Sequence, residues 1–586
     1  MKALLSGNEA IARGAYEAGI KTAVGYPGTP STEILENITQ YPGIYAQWSP
    51  NEKVAFEVGC GASISGARTL VTMKHVGVNV AADPLITFSY TGVNGGFVLV
   101  SADDPGMHSS QNEQDNRRYA EFAKIPAIEP SDSQEAKDFV KAALEISETF
   151  DTPVMLRITT RIAHSQSMVE LGEPQSSELK AYVKNPVKYV MIPAYGRIRR
   201  AAVEERMQKL TKWARETSLN TIELKSRQYG IITSGICYQY VKEALPEASI
   251  LKLGLTYPLS EELIKGFAQQ VEQLFVVEEL EPFFGEALES MGIKVAKKGL
   301  FAKIGELTVS LIKEKISAEL GLDLPAQSKV ETAGLPVAPA RPPVLCPGCP
   351  HRAVFYTLKK LKLTVTGDIG CYTLGVLPPL EAIDTTICMG ASIGTALGME
   401  KSNPALVGKV VAVIGDSTFF HSGITGLVDM VYNKGRGTVM ILDNSTTAMT
   451  GHQHHPATGK TLREETANVV KLAELARAVG VKRVVELDPF DLALIEKVIK
   501  EETAAPETSV IIAKRRCALL EKGTGKPVGI DRDKCINCKQ CMALGCPAIA
   551  LRDGRVTINT DICTGCNLCV QVCKFSAILK AGEGHE

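Results

Sequence analysis

Short apolar runs separated by helical patterns recur along most of the chain. Over residues 1–175 these runs include FVLVSA and TPVMLRITT, in which polar and apolar positions do not alternate. Runs of this kind are typical of parallel strands that are buried on both faces of a sheet. The pattern therefore predicts a doubly wound α/β domain over residues 1–175.

The same reading divides the rest of the chain into five segments. In order, we predict a connecting helical segment over 176–225, a middle α/β domain over 226–320, a linker over 321–345, a further α/β domain over 346–520 and a short Cys-rich domain over 521–586. The linker is rich in proline, which favours an extended, semi-rigid chain. The α/β domain at 346–520 has three clear apolar strands, at 410–416, 438–444 and 509–515.

Composition excludes several classes of protein. The chain has 586 residues with 64 Lys and Arg against 65 Asp and Glu, a net charge of −1. Proteins that bind nucleic acid normally carry a basic excess or a basic face. No apolar run approaches the roughly 18 residues of a membrane span, and the first residues lack the apolar stretch of a signal peptide. We therefore expect a cytoplasmic protein without nucleic-acid or membrane partners.

Eight of the 15 cysteines form two groups near the carboxyl end. In two-cluster ferredoxins, three thiolates of a C-x2-C-x2-C run bind one 4Fe–4S cluster, and the fourth Cys of that run binds the other. This exchange predicts two cluster sites, one formed by Cys535, Cys538, Cys541 and Cys573 and the other by Cys563, Cys566, Cys569 and Cys546. Structural zinc is the alternative, but two triple-Cys runs fit it poorly. The first run has four residues, not three, before Cys546.

Two polar turns follow apolar strands in the domain at 346–520. Asp416 follows VVAVIG, and Asn444 follows TVMILD. Oxygen ligands suit Mg²⁺, and open α/β sheets bind ligands at the carboxyl ends of their strands. These residues resemble the thiamine-diphosphate motif, which implies that the side chains of Asp416 and Asn444 and the carbonyl of Thr446 bind Mg²⁺ against the diphosphate. Ser417, a further predicted cofactor contact, stands where the motif has a second Gly.

Upstream of these turns, Gly390 lies in the Gly-rich stretch MGASIG. One interpretation is that Gly390 opens a helix whose N–H groups bind the diphosphate. The other is that the glycines only allow a helix to pack closely.

The first domain resembles the pyrimidine-binding domain of pyruvate:ferredoxin oxidoreductases and their 2-oxoacid relatives. The segment YPGTPS at 26–31 carries this resemblance. It implies that Glu52 forms a hydrogen bond with N1′ of the aminopyrimidine. This bond favours the imino tautomer, whose exocyclic nitrogen removes the thiazolium C2 proton. Glu57 is the reserve candidate. Thr29 is expected to contact the carbonyl or carboxylate of the substrate.

The same resemblance offers Arg118 as the cation for the substrate carboxylate. A guanidinium suits a 2-oxoacid because it binds a carboxylate in bidentate fashion. Arg117 is an alternative, and either residue could instead be a solvated charge on a helix.

Over nearly its whole length the chain resembles α subunits of the indolepyruvate type of 2-oxoacid:ferredoxin oxidoreductase. The segments that carry this resemblance are CPGCPHR at 346–352, GDIGC at 367–371 and DNSTTAMTG at 443–451. The resemblance implies oxidative decarboxylation of aryl pyruvates with CoA to aryl-acetyl-CoA and CO2, by a thiamine carbanion/enamine mechanism. Electrons would pass through the clusters to ferredoxin. It also implies a transketolase-C-like middle domain and a smaller β subunit in a heterodimer that dimerises further.

A third cluster is one interpretation of four other cysteines, because matching cysteines of related oxidoreductases hold a cluster close to the thiamine. These are Cys346, Cys349, Cys371 and Cys517. Buried free thiols and zinc are the alternatives. Four histidines, at 421, 452, 454 and 455, lie on or near the cofactor loops. His421 could act as an acid or base, and His452 is a further candidate, although the group at 452–455 could instead be an exposed loop.

Two other functions stay open at this point. One is a non-redox thiamine decarboxylase with a structural zinc tail, against which the attached clusters speak. The other is an electron-transfer subunit whose α/β domains only support a partner. A support would need neither the Glu52 site nor the Asp416 site.

Overall fold

The computed structural model describes residues 1–175, 177–322, 341–521 and 525–580. The chain forms two compact units, Met1–Leu335 and Pro336–Glu586. Most of the Pro-rich linker predicted at 321–345 lies outside the described residues. Within the described ranges, no helix is both long enough and apolar enough to cross a membrane.

The amino-terminal unit begins with a domain built on a seven-stranded sheet. From edge to edge its strands are Leu255–Tyr257, Ala127–Ile128, Val154–Thr159, Phe97–Asp103, Thr69–Lys74, Thr22–Gly25 and Tyr45–Trp48. The strands are parallel except for the first, which runs antiparallel to its neighbour. The strand FVLVSAD is buried at every position, as expected of a strand covered on both faces. The predicted doubly wound domain is confirmed.

Helices connect these strands, and capping residues fix where several of them begin. The helices are Gly7–Glu17, Thr32–Ile38, Glu52–Ile64, His75–Val80, Ala82–Thr91, Arg117–Ala123, Ser133–Phe150, Thr160–His164, Pro186–Tyr189 and Pro193–Trp213. At the first of them the hydroxyl of Ser6 accepts the Glu9 N–H, and the Glu9 carboxylate accepts the Ser6 N–H. Such a capping box satisfies two N–H groups that have no partner within the helix. A small antiparallel pair, Lys2–Ser6 with Gln166–Glu170, stands beside the main sheet.

The middle domain has a four-stranded sheet that begins earlier than predicted. Its strands, in order across the sheet, are Gln273–Val277, Tyr229–Thr233, Ser249–Leu253 and Asn220–Glu223. Its helices are Gly235–Ala244, Glu261–Ala268, Phe283–Ser290 and Val309–Leu320. Asn220–Glu223 lies within the predicted connecting segment and pairs antiparallel with Ser249–Leu253. Leu255–Tyr257 leaves the middle domain and joins the edge of the first sheet.

The second unit contains a five-stranded parallel sheet. Its strands, in order across the sheet, are Thr364–Thr366, Val410–Gly415, Thr438–Asp443, Ser509–Lys514 and Arg483–Leu487. Its helices are His351–Leu361, Ala391–Ser402, Asp416–Thr418, Ile424–Tyr432, Leu472–Ala478 and Leu492–Thr503. The three predicted apolar strands occupy the centre of this sheet. The α/β prediction for this part of the chain is therefore confirmed.

The Cys-rich segment folds with little regular structure. Its described residues, 525–580, form two short antiparallel pairs, Gly529–Ile530 with Ile578–Leu579 and Ile549–Arg552 with Arg555–Ile558, a 3-10 helix, Gln540–Leu544, and a short α-helix, Leu568–Val572. A small core that includes Leu544 and Leu568 packs against Ala353 of the α/β domain.

A buried guanidinium ties the first and middle domains together. Arg117 donates from Nε to Asp115 (2.9 Å) and from Nη1 to Glu278 of the middle domain (2.9 Å). Its Nη2 donates to the backbone carbonyls of Glu279 and Glu281, both at 3.1 Å. Because the Arg117 side chain is only 1% exposed, these ion pairs are shielded from water. Removing Arg117 would therefore leave the charges of Asp115 and Glu278 poorly compensated.

We expect Arg117→Met to lower the free energy of unfolding of this unit by about 3–5 kcal/mol, since it leaves buried Glu278 without its cation and removes one of the two cations beside Asp115. Both tryptophans, Trp48 and Trp213, lie in this unit, so urea denaturation followed by tryptophan fluorescence measures the change. The matched control is Arg118→Met, because that side chain is 36% exposed and should cost less than about 1 kcal/mol. Equal losses in the two variants would contradict the structural role of Arg117.

Candidate functional site

The candidate metal site lies where two neighbouring strands of the second unit end. Val410–Gly415 and Thr438–Asp443 pair in parallel, with Gly415 opposite Leu442. Asp416 and Asn444, which follow these strands, are both buried. Parallel pairing therefore brings together two side chains that are 28 positions apart in the sequence.

Three polar groups converge at these turns. One atom of the Asn444 amide lies 3.2 Å from Oδ1 of Asp416 and 2.8 Å from the carbonyl oxygen of Thr446. Ser445 has a φ of +58°, which folds the chain back so that this carbonyl faces Asn444. With the amide nitrogen at that position, Asn444 donates to both oxygens. A rotated amide would instead present its oxygen beside those of Asp416 and Thr446. Carboxylate, amide and carbonyl oxygens are ligands that Mg²⁺ prefers, so these residue types fit the predicted ion.

Further negative charge surrounds this point. Burial and the neighbouring Asp416 carboxylate raise the pKa of Asp443 to about 6. Asp416 accepts the N–H groups of Ser417 and Ser445, both at 2.8 Å. Two buried carboxylates in one place favour the binding of a divalent cation, which would neutralise their mutual repulsion. Ser417 is also bonded through its hydroxyl, which accepts from Thr447 (2.8 Å).

The helix that begins after Gly390 already has an anion at its start. The carboxylate of Asp368 accepts the N–H of Gly390 (2.8 Å) and the N–H of Ser392 (3.1 Å). Gly390 has a φ of +85°, and a Cβ there would lie 2.4 Å from Cβ of Ser422. Gly390 is therefore closely packed against Ser422. The N–H groups that were predicted to bind the diphosphate are bonded to Asp368 instead.

Two buried histidines, His455 and His351, lie near Asp416. Nε2 of His455 lies 3.1 Å from Oδ2 of Asp416. His351 is buried, and burial lowers its pKa to about 4 although the Asp416 charge raises it. His421 is also buried, with Nδ1 2.7 Å from the hydroxyl of Ser422. Apart from the motif CPGCPHR, nothing in the sequence indicates a role for His351, because Asp416 lies 65 positions away along the chain.

In the amino-terminal unit, Glu52 is the first residue of the helix Glu52–Ile64 and is 5% exposed. Its side chain lies over Gly77, where a Cβ would come within 2.7 Å of Oε1. Glu57 is exposed and pairs with Lys53 on the same helix. The structure thus distinguishes the two candidates, since only Glu52 is held in a buried position.

The other two predicted substrate contacts of this unit, Thr29 and Arg118, have different surroundings. The carbonyl of Thr29 accepts a hydrogen bond from the Ser109 hydroxyl (3.2 Å). Arg118 pairs with Glu121 and Glu286 and lies 5.1 Å from the ring centre of Phe283. The charge of Arg118 is therefore already balanced at the surface, and Arg117 is buried in the ion pairs described above.

Two cavities near the carboxyl end are each lined by four cysteines. One is lined by Cys546, Cys563, Cys566 and Cys569. The other is lined by Cys535, Cys538, Cys541 and Cys573. The structure thus groups the eight thiols in the exchanged sets that the spacing predicts, in spite of the extra residue before Cys546.

The cysteines of the predicted third set influence one another's pKa values. Burial, with Cys346 and Cys371 nearby, raises the thiol pKa of Cys349 to about 12. Burial, with Cys517 and Cys346 nearby, raises that of Cys371 to about 11. The N–H of Cys517 donates to the carbonyl of Asn444 (3.0 Å), which places Cys517 beside the candidate metal site.

Three models of protein families match the chain. Residues 13–202 match the thiamine-diphosphate-binding domain of pyruvate flavodoxin/ferredoxin oxidoreductases, and residues 368–513 match the C-terminal domain of thiamine pyrophosphate enzymes. Residues 527–574 match the 4Fe–4S dicluster domain. These matches support thiamine diphosphate and iron–sulfur clusters as the cofactors.

Curated relatives match over the full length. "Indolepyruvate oxidoreductase subunit IorA" of Archaeoglobus fulgidus is 41% identical, covering 99% of this chain and 98% of that protein. The protein of the same name from Pyrococcus abyssi is 41% identical, covering 100% and 98%. A solved 2-oxoglutarate:ferredoxin oxidoreductase from Magnetococcus marinus aligns with 54% of this chain and 65% of its own, at 14% identity and a TM-score of 0.46. The chain belongs to the IorA family of indolepyruvate oxidoreductase subunits, which are oxidoreductases of the 2-oxoacid:ferredoxin type.

Proposed function

We propose that this subunit, with a smaller β subunit, oxidatively decarboxylates aryl pyruvates. One 2-oxoacid, one CoA and two oxidised ferredoxins would give one aryl-acetyl-CoA, CO2, two reduced ferredoxins and a proton. The observation that supports this most directly is that one compact unit holds both the polar cluster of Asp416, Asn444 and Thr446 and two cavities that are each lined by four cysteines. A decarboxylase without redox chemistry needs only the first.

The residues of the metal site would hold the diphosphate end of the cofactor. Asp416, Asn444 and the carbonyl of Thr446 would bind Mg²⁺, which in turn neutralises phosphate oxygens. The thiamine group, when bound, supplies a nucleophilic carbon and a sink for electrons. His455 would orient the Asp416 carboxylate, since its Nε2 lies at hydrogen-bonding distance from the oxygen that does not face Asn444.

Glu52 would act on the aminopyrimidine end of the cofactor. Its burial over Gly77 fixes the carboxylate in place, and a carboxyl group positioned in this way can hold a proton at N1′. Thr29 stays a proposed substrate contact.

The cysteine sets would carry the electrons away. We propose a third cluster at Cys346, Cys349, Cys371 and Cys517, since these thiols influence one another's pKa values and Cys517 donates to the Asn444 carbonyl. Pro347 and Gly348, between the first two of these cysteines, line the cavity of Cys546, Cys563, Cys566 and Cys569. This contact supports electron transfer from the third cluster to the cluster proposed in that cavity.

The activity test uses the purified two-subunit enzyme under anaerobic conditions, with thiamine diphosphate, Mg²⁺ and a viologen dye. We expect CoA-dependent dye reduction with indolepyruvate and phenylpyruvate, and at least about tenfold less with pyruvate or 2-oxoglutarate. Release of CO2 without dye reduction would contradict the redox function. Dye reduction that is equal for all four acids would contradict the aryl preference.

For the role of Glu52, we expect Glu52→Ala to lower turnover by about 100-fold or more, in the range of general acid–base catalysis. Iron content should stay as in the wild type, because the cluster cysteines lie in the second unit. Most of the thiamine binding should also be kept, because Asp416, Asn444 and Thr446 would still hold the diphosphate end. Glu57→Ala, five residues along the same helix, is the matched control and should keep its turnover. The assignment fails if Glu52→Ala keeps its activity.

For the clusters, we expect Cys538→Ala and Cys573→Ala to lose the same signal in electron paramagnetic resonance of the dithionite-reduced protein, because both residues line one cavity. Cys563→Ala should lose a different signal, and Cys371→Ala a third. Chemical analysis should give about twelve iron atoms per chain, four for each 4Fe–4S cluster. Eight iron atoms and an unchanged spectrum in Cys371→Ala would overturn the third cluster.

A further inference from the structure

Lys74 stands at the carboxyl end of a central strand of the first sheet, Thr69–Lys74. Its Nζ donates to the carbonyl of Ser109 (2.5 Å), and the hydroxyl of Ser109 donates to the carbonyl of Thr29 (3.2 Å). One short series of contacts therefore joins the Lys74 ammonium to the predicted substrate contact. This edge of a parallel sheet is where α/β domains bind their ligands.

Two glycines allow neighbouring segments to pack closely around Lys74. A Cβ at Gly28 would lie 3.1 Å from Cβ of Lys74, so the YPGTPS segment passes directly over the lysine. Three residues after Lys74, Gly77 leaves room for the buried side chain of Glu52. Lys74 thus lies between the segment of Thr29 and the candidate activating glutamate.

The electrostatic environment of Lys74 leaves its charge only partly compensated. Burial lowers the pKa of Lys74 to about 8, although the carboxylates of Asp104 and Glu52 raise it. Asp104 is already bonded to the hydroxyls of Ser110 (2.5 Å) and Thr160 (2.7 Å). The neighbouring anions therefore do not replace the hydration that the ammonium loses, and a bound anion would stabilise it further.

We propose that Lys74 binds the carboxylate of the 2-oxoacid substrate, an inference that rests on the proposed function. It takes the place that the family resemblance gave to Arg118, whose guanidinium is already paired with Glu121 and Glu286. An ammonium on a flexible stem binds a carboxylate as a point charge with up to three donors. Its position beside Thr29 and Glu52 places that charge where the decarboxylating group has to be held.

The test measures binding of an unreactive carboxylate to the two-subunit enzyme loaded with thiamine diphosphate and Mg²⁺. The ligand is an aryl lactate, in which a hydroxyl replaces the keto group, and isothermal titration calorimetry gives its Kd. We expect Lys74→Met to weaken binding at least about tenfold, as for a lost charged hydrogen bond, and Lys74→Arg to restore it to within about threefold. Lys53→Met, an exposed lysine of the neighbouring helix, is the matched control and should bind as the wild type does.

A second ligand separates substrate binding from support of the loop that carries Ser109. The Kd of the neutral amide of the aryl 2-oxoacid should stay unchanged in Lys74→Met, because it has no carboxylate to lose. Equal weakening for the acid and the amide would overturn the proposal in favour of loop support, as would unchanged aryl-lactate binding in Lys74→Met together with a loss in Arg118→Met. A wild type that neither binds aryl lactate nor oxidises any 2-oxoacid would overturn the proposed function as well.

Discussion

Parallel pairing of three central strands in the second unit brings its chemistry to one edge. Val410–Gly415, Thr438–Asp443 and Ser509–Lys514 lie side by side in parallel. The residues that follow them include Asp416, Asn444 and Cys517. Since the strands run in the same direction, their ends must meet at the same edge, and the turns there must accommodate one another. The candidate metal ligands and Cys517 therefore lie at one edge of the sheet, an arrangement that no local segment could form.

The CPGC loop at 346–349 packs closely against the Cys-rich segment. Gly348 has a φ of +70°, and a Cβ there would lie 2.3 Å from the Thr564 hydroxyl. The buried guanidinium of Arg352 donates to the carbonyls of Leu345 (2.7 Å) and Leu544 (2.6 Å). The CPGC loop is thus held against the dicluster segment by a position that tolerates no side chain and by charge-assisted hydrogen bonds. Contact of this kind is what electron transfer between neighbouring clusters requires of the protein.

Buried charge in the first unit has a different use. Arg117 and Arg157 are enclosed and paired with carboxylates, and they hold strands and domains in register. Lys74 differs because its bonded partner is a neutral carbonyl. Cations that are fully paired stabilise the fold, whereas a partly compensated one at the ligand-binding edge has capacity for an anion. The family resemblance made Arg117 an alternative substrate contact. Because its charge is fully paired, Arg117 stabilises the fold instead.

Much of the architecture could be predicted from the sequence alone, because unbroken apolar runs, Cys spacing and the polar turns at strand ends are local signals. The exchanged pairing of the cluster cysteines followed from spacing and agrees with the two cavities. The edge strand Leu255–Tyr257, the Asp368 carboxylate at the start of a helix and the neighbours of His351 and Lys74 did not follow, since each depends on residues far apart in the chain. The sequence determined which residues could do chemistry here. Only the tertiary structure decided which of their charges are already paired, because pairing and burial are set by the packing of distant segments.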